Sequence, residues 1–418
     1  MCGLFFSVFN FTTTHESRIW PDPARAFEAM GLPASAAHAP PSPLSTDPAT
    51  VSVPPYYPDT PVVRRDIAQQ YDNIAAMDTQ AGVILDQLRE DELLDNTIIF
   101  FWSDHGDGLP RHKRWLYDSG LHVPLIIHTP GQTPAVDGSL VSFLDLAPTV
   151  LSIAGVEPPA HMQGRPLSGK FEGSKPPHDY IYAARDRFDE QYDLVRGVRG
   201  IQYKYIRNYR PEKPYALWMA YANVMPTMQE LFRLHANNQL TGAQMLWMRP
   251  KRPVHELYDT VTDPHEVINL AYDPAFKDEL KRMQKALDDW ITESRDWGFT
   301  SELDMVESMW PDREQPVTSP PIMIPRATPH TAIRADGLDD AQSGGIFNGP
   351  VDVIMYSGTQ GASIAYTTVD DAGEEGRWML FSAPLRLENS TRLRAKAIRY
   401  GYKESEARDA EFLITNSR

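Results

Sequence analysis

From Val63 to about Glu92 apolar residues recur at Ile67, Tyr71, Ile74, Met77, Ala81, Ile84 and Leu88, the spacing of one face of an α-helix. Asp95-Asn96 predicts the turn that ends it. Two short apolar runs, TIIFFW and VPLIIH, then read as strands, and SFLDLAPTVLSIAG reads as a helix with Leu144, Ala147, Val150 and Leu151 on its apolar side. Upstream, FFSVFNF at 5–11 reads as a buried internal strand that runs into the polar THESR. Residues 32–63 are dense in Pro, Ala and Ser, which excludes helix and central strand. This alternation predicts an α/β fold in which helices cover both faces of a mostly parallel sheet.

Beyond Trp297 the pattern changes. Residues 311–330 are Pro-rich and read as a semi-rigid linker. VDVIMYSG, ASIAYTTVD, GRWMLFSAPLRL, TRLRAKAIRY and AEFLITN follow, strand-like runs separated by turn residues, and predict a β-sandwich. The expected organisation is an α/β core over 1–178, a further subdomain over 179–300, a linker over 301–330 and the sandwich over 331–418.

Composition narrows the function. With 418 residues, 42% of them hydrophobic, the chain can bury a sizeable core. A formal charge of −16 argues against a nucleic-acid groove and an anionic membrane surface. Any bound anion must therefore be held by a local cluster of cations. No apolar run approaches about 18 residues, so no membrane span is expected. MCGLFFSVFNF lacks the basic start and cleavage site of a signal peptide, and the single Cys2 excludes an intrachain disulfide and a thiolate metal cluster.

The candidate chemistry lies where TIIFFW ends, at Ser103-Asp104-His105-Gly106. In α/β sheets ligands bind beyond the carboxyl ends of strands, and Asp and His there can face a cation once the chain leaves the pleat. Arg111, His112, Lys113 and Arg114 crowd four potential cations into the same segment, which favours an anion site. His15, just past FFSVFNF, can reach the same crevice. Arg185 and Asp186 in YAARDRF could contact a sugar from their strand, although a structural ion pair is the more common outcome for such a pair.

S-D-H-G, followed by Lys113, Tyr117, Gly120 and VPLII, resembles the metal-binding and sulfate-binding block of the sulfatases, in the alkaline phosphatase superfamily. YDNIAAMDTQAGVILDQL, VSFLDLAPTVLSIAGVEPPAHMQGRPL and HELYDTVTDPHEVINLA are also similar to bacterial sulfatases, so the resemblance spans roughly residues 4–297. PRHKRWLYDSG and DRFDEQYDLVRGVRGIQYKYIRNYRPEKPY resemble the heparan N-sulfatase-like bacterial group. The resemblance implies Asp104 and His105 as ligands of a divalent metal, usually Ca²⁺, with an imidazole where an Asn is frequent. It implies Lys113 on a sulfate oxygen and His15 as the acid that assists the leaving group. The implied reaction is hydrolysis of sulfate esters or sulfamates on a sulfated carbohydrate, by relatives expected in the periplasm or outside the cell. Two alternatives are a phosphodiesterase or phosphonate hydrolase of the same superfamily and a non-catalytic glycan-binding remnant.

The family also carries two adjacent acidic metal ligands near its N-terminus and a C-x-P-x-R or S-x-P-x-R motif, whose Cys or Ser becomes the formylglycine nucleophile. The chain reads as having neither, since Cys2-Gly-Leu-Phe-Phe and Ser42-Pro-Leu-Ser lack that spacing. It therefore resembles the C-terminal part of a sulfatase and is expected to be inactive alone. His15, Asp104, His105 and Lys113 should converge, and without a metal Asp104 should pair with Lys113 or Arg114. The last five runs resemble the C-terminal module of chitobiases and β-hexosaminidases, as sugar binder or as spacer.

Overall fold

The computed structural model describes residues 5–41, 43–188, 191–326 and 343–415. Two compact units divide the chain, Met1–Asp296 and Trp297–Arg418. In the first, residues 5–12 form neither helix nor strand. A 3-10 turn at Glu16–Ile19 precedes α1 (Pro23–Ala29), α2 (Pro61–Glu90), β1 (Ile99–Trp102), α3 (Asp118–Leu121), β2 (Leu125–His128) and α4 (Leu146–Ile153). Then come β3 (Ile181–Phe188), β4 (Gln191–Arg199), β5 (Tyr203–Asn208), α5 (Ala220–Asn223), α6 (Pro226–Ala236), β6 (His255–Asp259) and α7 (Lys277–Ser294). Pro61 in its first turn and the Thr60 hydroxyl, which accepts from the Val63 N–H, start α2.

Strands β3 to β6 form one antiparallel sheet in chain order. Val195, Ile206 and Tyr258 on one side join a core with Ile67 of α2, Leu231 of α6 and Trp115 to Tyr117 of the preceding loop. Val198, Tyr205 and Leu257 join the other, with Met283 and Leu287 of α7. The fold is mixed α/β as expected, with helices on both faces of this sheet; its strands are antiparallel, whereas the parallel arrangement was expected of the TIIFFW and VPLIIH runs. The links from Phe188 to Gln191 and from Arg199 to Tyr203 are far too short for the crossovers that parallel neighbours need. β1 and β2 pair separately, also antiparallel, with Ile99 opposite His128.

Three further expectations fail for one reason, the lack of a covering neighbour among the described residues. FFSVFNF is not a buried strand: no described strand pairs with it, and Phe5, Phe6, Val8 and Phe9 are exposed. The long helix is present, but burial is confined to its first half, at Val63, Asp66, Ile67, Ala68, Gln69, Gln70 and Asn73. Tyr71, Ile74 and Val83 face solvent. In α4 the buried residues are Pro148, Thr149 and Ser152, not the predicted apolar side. No helix among the described residues is long and apolar enough to cross a membrane.

The second unit contains α8 (Glu302–Ser308), β7 (Ile322–Arg326), β8 (Gly345–Asn348), β9 (Val351–Tyr356), β10 (Ser363–Val369), β11 (Met379–Leu380), β12 (Leu385–Leu387), β13 (Thr391–Ile398) and β14 (Arg408–Thr415). A five-stranded sheet, β11-β10-β13-β14-β8, and a three-stranded one, β12-β9-β7, share a core that includes Met323, Val353, Leu393 and Phe412. The stretch read as a linker supplies α8 and β7 to this unit, and its last residues, with 331–342 of the expected sandwich, lie outside the described residues.

Leu287 is fully buried where α7 meets the sheet. Leu287→Ala is expected to lower the stability of the first unit by about 2–5 kcal/mol, read as a lower urea midpoint at unchanged slope.

Candidate functional site

The basic run does not hang in solvent. Glu16, buried at the start of the 3-10 turn, accepts at Oε1 from Lys113 Nζ (2.9 Å) and Arg114 Nη2 (2.9 Å), and at Oε2 from Arg114 Nη1 (2.7 Å). Burial alone would raise the Glu16 carboxyl, but Arg114 and then Lys113 hold it below its ordinary value. Gly108 makes this approach possible, because a Cβ there would lie 2.0 Å from Glu16 Cβ. Close packing, not a left-handed turn, is what this glycine serves. Left-handed backbone falls instead on Arg111 (φ 73°) and Arg114 (φ 76°), which aims their side chains in different directions at a local strain of order 1–3 kcal/mol each.

Arg111 and His112 turn inward. The Arg111 guanidinium lies between the Tyr56 and Tyr117 rings, 4.5 and 3.7 Å from their centroids, and donates to the carbonyls of His265 (3.0 Å) and Glu266 (2.6 Å). His112 bonds Asp107 through Nδ1 (2.5 Å) and Tyr56 through Nε2 (2.7 Å). Burial works against the Asp107 carboxylate, yet His112 keeps its pKa lowered. The run therefore divides into two structural members and two that reach Glu16.

His15 is the cap of the 3-10 turn. Its Nδ1 accepts from the Ser17 backbone N–H (3.4 Å) and lies 3.0 Å from Ser17 Oγ, while its ring meets Tyr221 edge-on at 5.9 Å. The residue is exposed overall, but desolvation of the ring, then Lys113, lowers its pKa; His105 and Arg114 act the same way, and Glu16 opposes them. His15, Lys113 and His105 are thus within electrostatic reach of one another. Ser17, Glu16 and Tyr221 were not picked out from the sequence. Glu16 stands in the quoted THESR, where nothing marks an acid as the counter-ion of a run almost a hundred residues on.

At the end of β1 the His105 Nδ1 donates to the Gly106 carbonyl (2.6 Å), since a carbonyl can only accept. In the neutral ring Nε2 then carries the lone pair, and it lies 3.4 Å from Asp104 Oδ2. Two basic atoms directed at each other suit a shared cation, and so far the pair fits a metal. A hard divalent ion takes 6–8 ligands, and no group of three or more His, Cys, Asp or Glu suited to a metal occurs among the described residues. Two ligands would be only part of such a shell. Asp104 does not pair with Lys113 or Arg114 as expected: its side chain is exposed, and Glu16 takes both cations.

Arg185 and Asp186 are engaged in ion pairs, and Arg185 feels the charge of Arg114. Arg185 is buried on the Trp115 ring (4.0 Å to the centroid) and bonded to Asp193, which Arg252 also holds. Burial pulls the Arg185 guanidinium down to about 10. Asp186, at the bulge where β3 shifts register against β4, accepts from Arg196 Nη1 (2.7 Å) and Nη2 (3.1 Å). One pentapeptide does have the S-x-P-x-R spacing, contrary to the reading that the chain lacks it: Ser382-Ala-Pro-Leu-Arg386. It belongs to the second unit, where β12 pairs with β9 and Arg386 bonds Asp352 (3.1 Å).

A profile of the sulfatase family matches residues 5–156, and one described as N-sulphoglucosamine sulphohydrolase, C-terminal, matches 110–246. An ulvan-active sulfatase of Formosa agariphila is 39% identical over 426 residues, covering 96% of this chain and 67% of that protein. This chain belongs to the sulfatase family. The family comprises sulfuric ester hydrolases and generally uses a divalent metal and formylglycine. Human N-sulphoglucosamine sulphohydrolase is 30% identical over 273 residues, covering 61% of this chain and 53% of that one. The chain thus spans about two thirds of the first relative and about half of the second. The solved phosphonate monoester hydrolase of Agrobacterium radiobacter overlays with a TM-score of 0.39 at 22% identity, covering 56% of this chain and 43% of that one.

Removing the buried counter-ion should be costly. Glu16→Ala is expected to destabilise the first unit by about 3–5 kcal/mol, because two largely buried cations lose their partner. Since the folded carboxyl lies below its ordinary 4.5, its contribution is complete above that pH and lost as pH falls through the folded value. Urea unfolding between neutral and acidic pH should show a shallower acid limb for Glu16→Gln than for the parent. Calorimetric titration of the chain with Ca²⁺ should give little heat at micromolar metal, and tight binding abolished by Asp104→Ala would show that other residues complete the shell.

Proposed function

We propose that this chain contributes the sulfate-binding and leaving-group side of a sulfatase that hydrolyses sulfate esters or sulfamates on a sulfated carbohydrate. The observation that carries the reading is the Lys113 ammonium, held by Glu16 within electrostatic reach of His15. The ulvan-active and N-sulphoglucosamine names of the relatives support a glycan substrate.

In this reading Lys113 takes a sulfate oxygen, and its ammonium neutralises charge that grows there as the ester bond breaks. Glu16 fixes the direction of that ammonium. His15 presents Nε2, which has no protein partner among the described residues, to the oxygen or nitrogen that departs. Asp104 and His105 would hold part of the shell of a divalent metal, proposed as Ca²⁺, whose chemistry is charge neutralisation on the sulfate. Arg185 and Asp186 are left out of the proposed substrate contacts, because both are committed to ion pairs. No nucleophile is assigned, since the only S-x-P-x-R pentapeptide noted belongs to the other unit.

Sulfate release from sulfated ulvan and heparan oligosaccharides tests the reading. The chain alone is expected to release none. Joined to the portion of the ulvan-active relative that it does not match, and co-expressed with a formylglycine-generating enzyme, it should release sulfate. Lys113→Ala should then lower kcat by about 10²–10³-fold, the usual loss for one stabilising donor. Preference for phosphonate or phosphate esters would favour the phosphonate hydrolase alternative, and undiminished turnover by Lys113→Ala would overturn the assignment.

A further inference from the structure

We infer that the first unit carries an accessory sugar-binding site that takes one anionic pyranose unit, sulfated or uronate, of a glycan. It is a cavity of about 340 Å³ lined by Tyr117, Tyr215, Trp247 and Tyr258, together with Arg249 and Tyr272. Neither Lys113 nor His15 lines it. The volume lies at the lower end of the roughly 300–1,000 Å³ of small-molecule sites and suits a single ring better than a length of chain. The first four residues are buried, and the phenol hydroxyls among them are already spent. Glu256 accepts at Oε2 from Tyr117 (2.8 Å) and Tyr258 (2.7 Å) and at Oε1 from Asn208 Nδ2 (2.5 Å), and the Tyr215 phenol interacts with the same carboxyl. What these tyrosines offer an occupant is therefore ring surface rather than hydrogen bonds. A pyranose carries C–H groups on its faces and hydroxyls round its edge, so its faces suit the electron-rich faces of aromatic rings. The Trp247 indole N–H is buried without an acceptor among the described residues, and a hydroxyl of such a sugar supplies one.

Charge selects among rings. No acidic residue lines the cavity, whereas Arg111 and Arg249 both do. Arg111 is committed, held between Tyr56 and Tyr117 and bonded to the carbonyls of His265 and Glu266. Arg249 is exposed and makes no ion pair among the described residues, which leaves its planar guanidinium open to a sulfate or a carboxylate. Tyr272, also exposed, accepts at its hydroxyl from the His255 N–H (3.5 Å) and keeps its own phenol proton for an oxygen of the occupant. Aromatic walls, one uncommitted cation and one uncommitted hydroxyl donor together fit a ring with apolar faces and a negatively charged edge.

That the ring is a sugar rests on the sulfatase reading; the preference for an anion does not. Saturation-transfer NMR on the whole chain tests both without turnover, with glucuronate, N-sulphoglucosamine, glucose and phenyl sulfate as probes and inorganic sulfate as competitor. Glucuronate and N-sulphoglucosamine should receive saturation at their ring protons, and glucose far less. Arg249→Ala and Tyr272→Ala, both at exposed positions, should each weaken binding of the two anionic sugars by about tenfold, the loss of one good polar contact. Lys113→Ala should leave that binding unchanged. No binding, equal binding of glucose, binding lost through Lys113→Ala, or binding insensitive to both Arg249→Ala and Tyr272→Ala would each overturn the inference. Displacement by equimolar inorganic sulfate would reduce the cavity to a bare anion site, and tighter binding of phenyl sulfate than of either sugar would make its occupant an aromatic anion; both outcomes overturn it. Sulfate release by the joined protein, with no sugar held at Arg249, would count against this site alone. Sugar held at Arg249 in a joined protein that releases no sulfate would count against the proposed function alone.

Discussion

A carboxylate withdrawn from water must find cations, and the arrangement of the first unit around the candidate site follows from how Glu16 finds them. Its two partners come from a loop almost a hundred residues away, so the short THESR segment cannot be placed until that loop is. Once it is, His15 on one side of Glu16 and Ser17 on the other have little freedom left. Gly108 and the left-handed Arg114 belong to the same constraint, one by removing a Cβ from the contact and the other by turning the guanidinium toward it.

The loop is itself fastened to the sheet from behind. Lys204 on β5, buried, forms ion pairs with Asp118 and Glu266 (2.8 Å to the latter), and the Asp118 N–H donates to the same glutamate at 2.6 Å. Burial pushes the Glu266 carboxyl up, and the Lys204 charge only partly offsets it. The chain between β1 and α3 is thus pinned at its far end by a charge network and midway by Arg111 between two tyrosines. A segment without regular structure is held this firmly because its charged side chains, not its backbone ladder, carry the tertiary contacts.

Local pattern was legible where short-range physics decides it. The α2 helix, the β1 and β2 runs, the hairpin strands of the second unit and the crowding of cations at 111–114 all follow from spacing and propensity. Three things were not. Strand direction depends on the length of connections, and inside YIYAARDRFDEQYDLVRGVRG the tight link that makes β3 and β4 antiparallel carries no signal in the apolar pattern. Burial depends on what lies opposite, so Ile74 and Leu144 look like core in sequence and face solvent in the fold. The acceptor of a buried cation is set by the tertiary fold, which is why Asp104, adjacent in sequence, lost Lys113 to Glu16.

The ribbon of β1 and β2 has a further consequence. Among the described residues neither strand has a second neighbour, and Trp102 and Ile126 project from it into solvent. Unpaired strand edges offer rows of backbone donors and acceptors, and apolar side chains reward whatever extended chain aligns with them. Self-association by edge-to-edge stacking is therefore the characteristic liability of this polypeptide. It should grow with concentration and fade when a charged residue replaces Ile126, so the behaviour of the chain in storage is governed by four residues of strand rather than by the ion pairs at its centre.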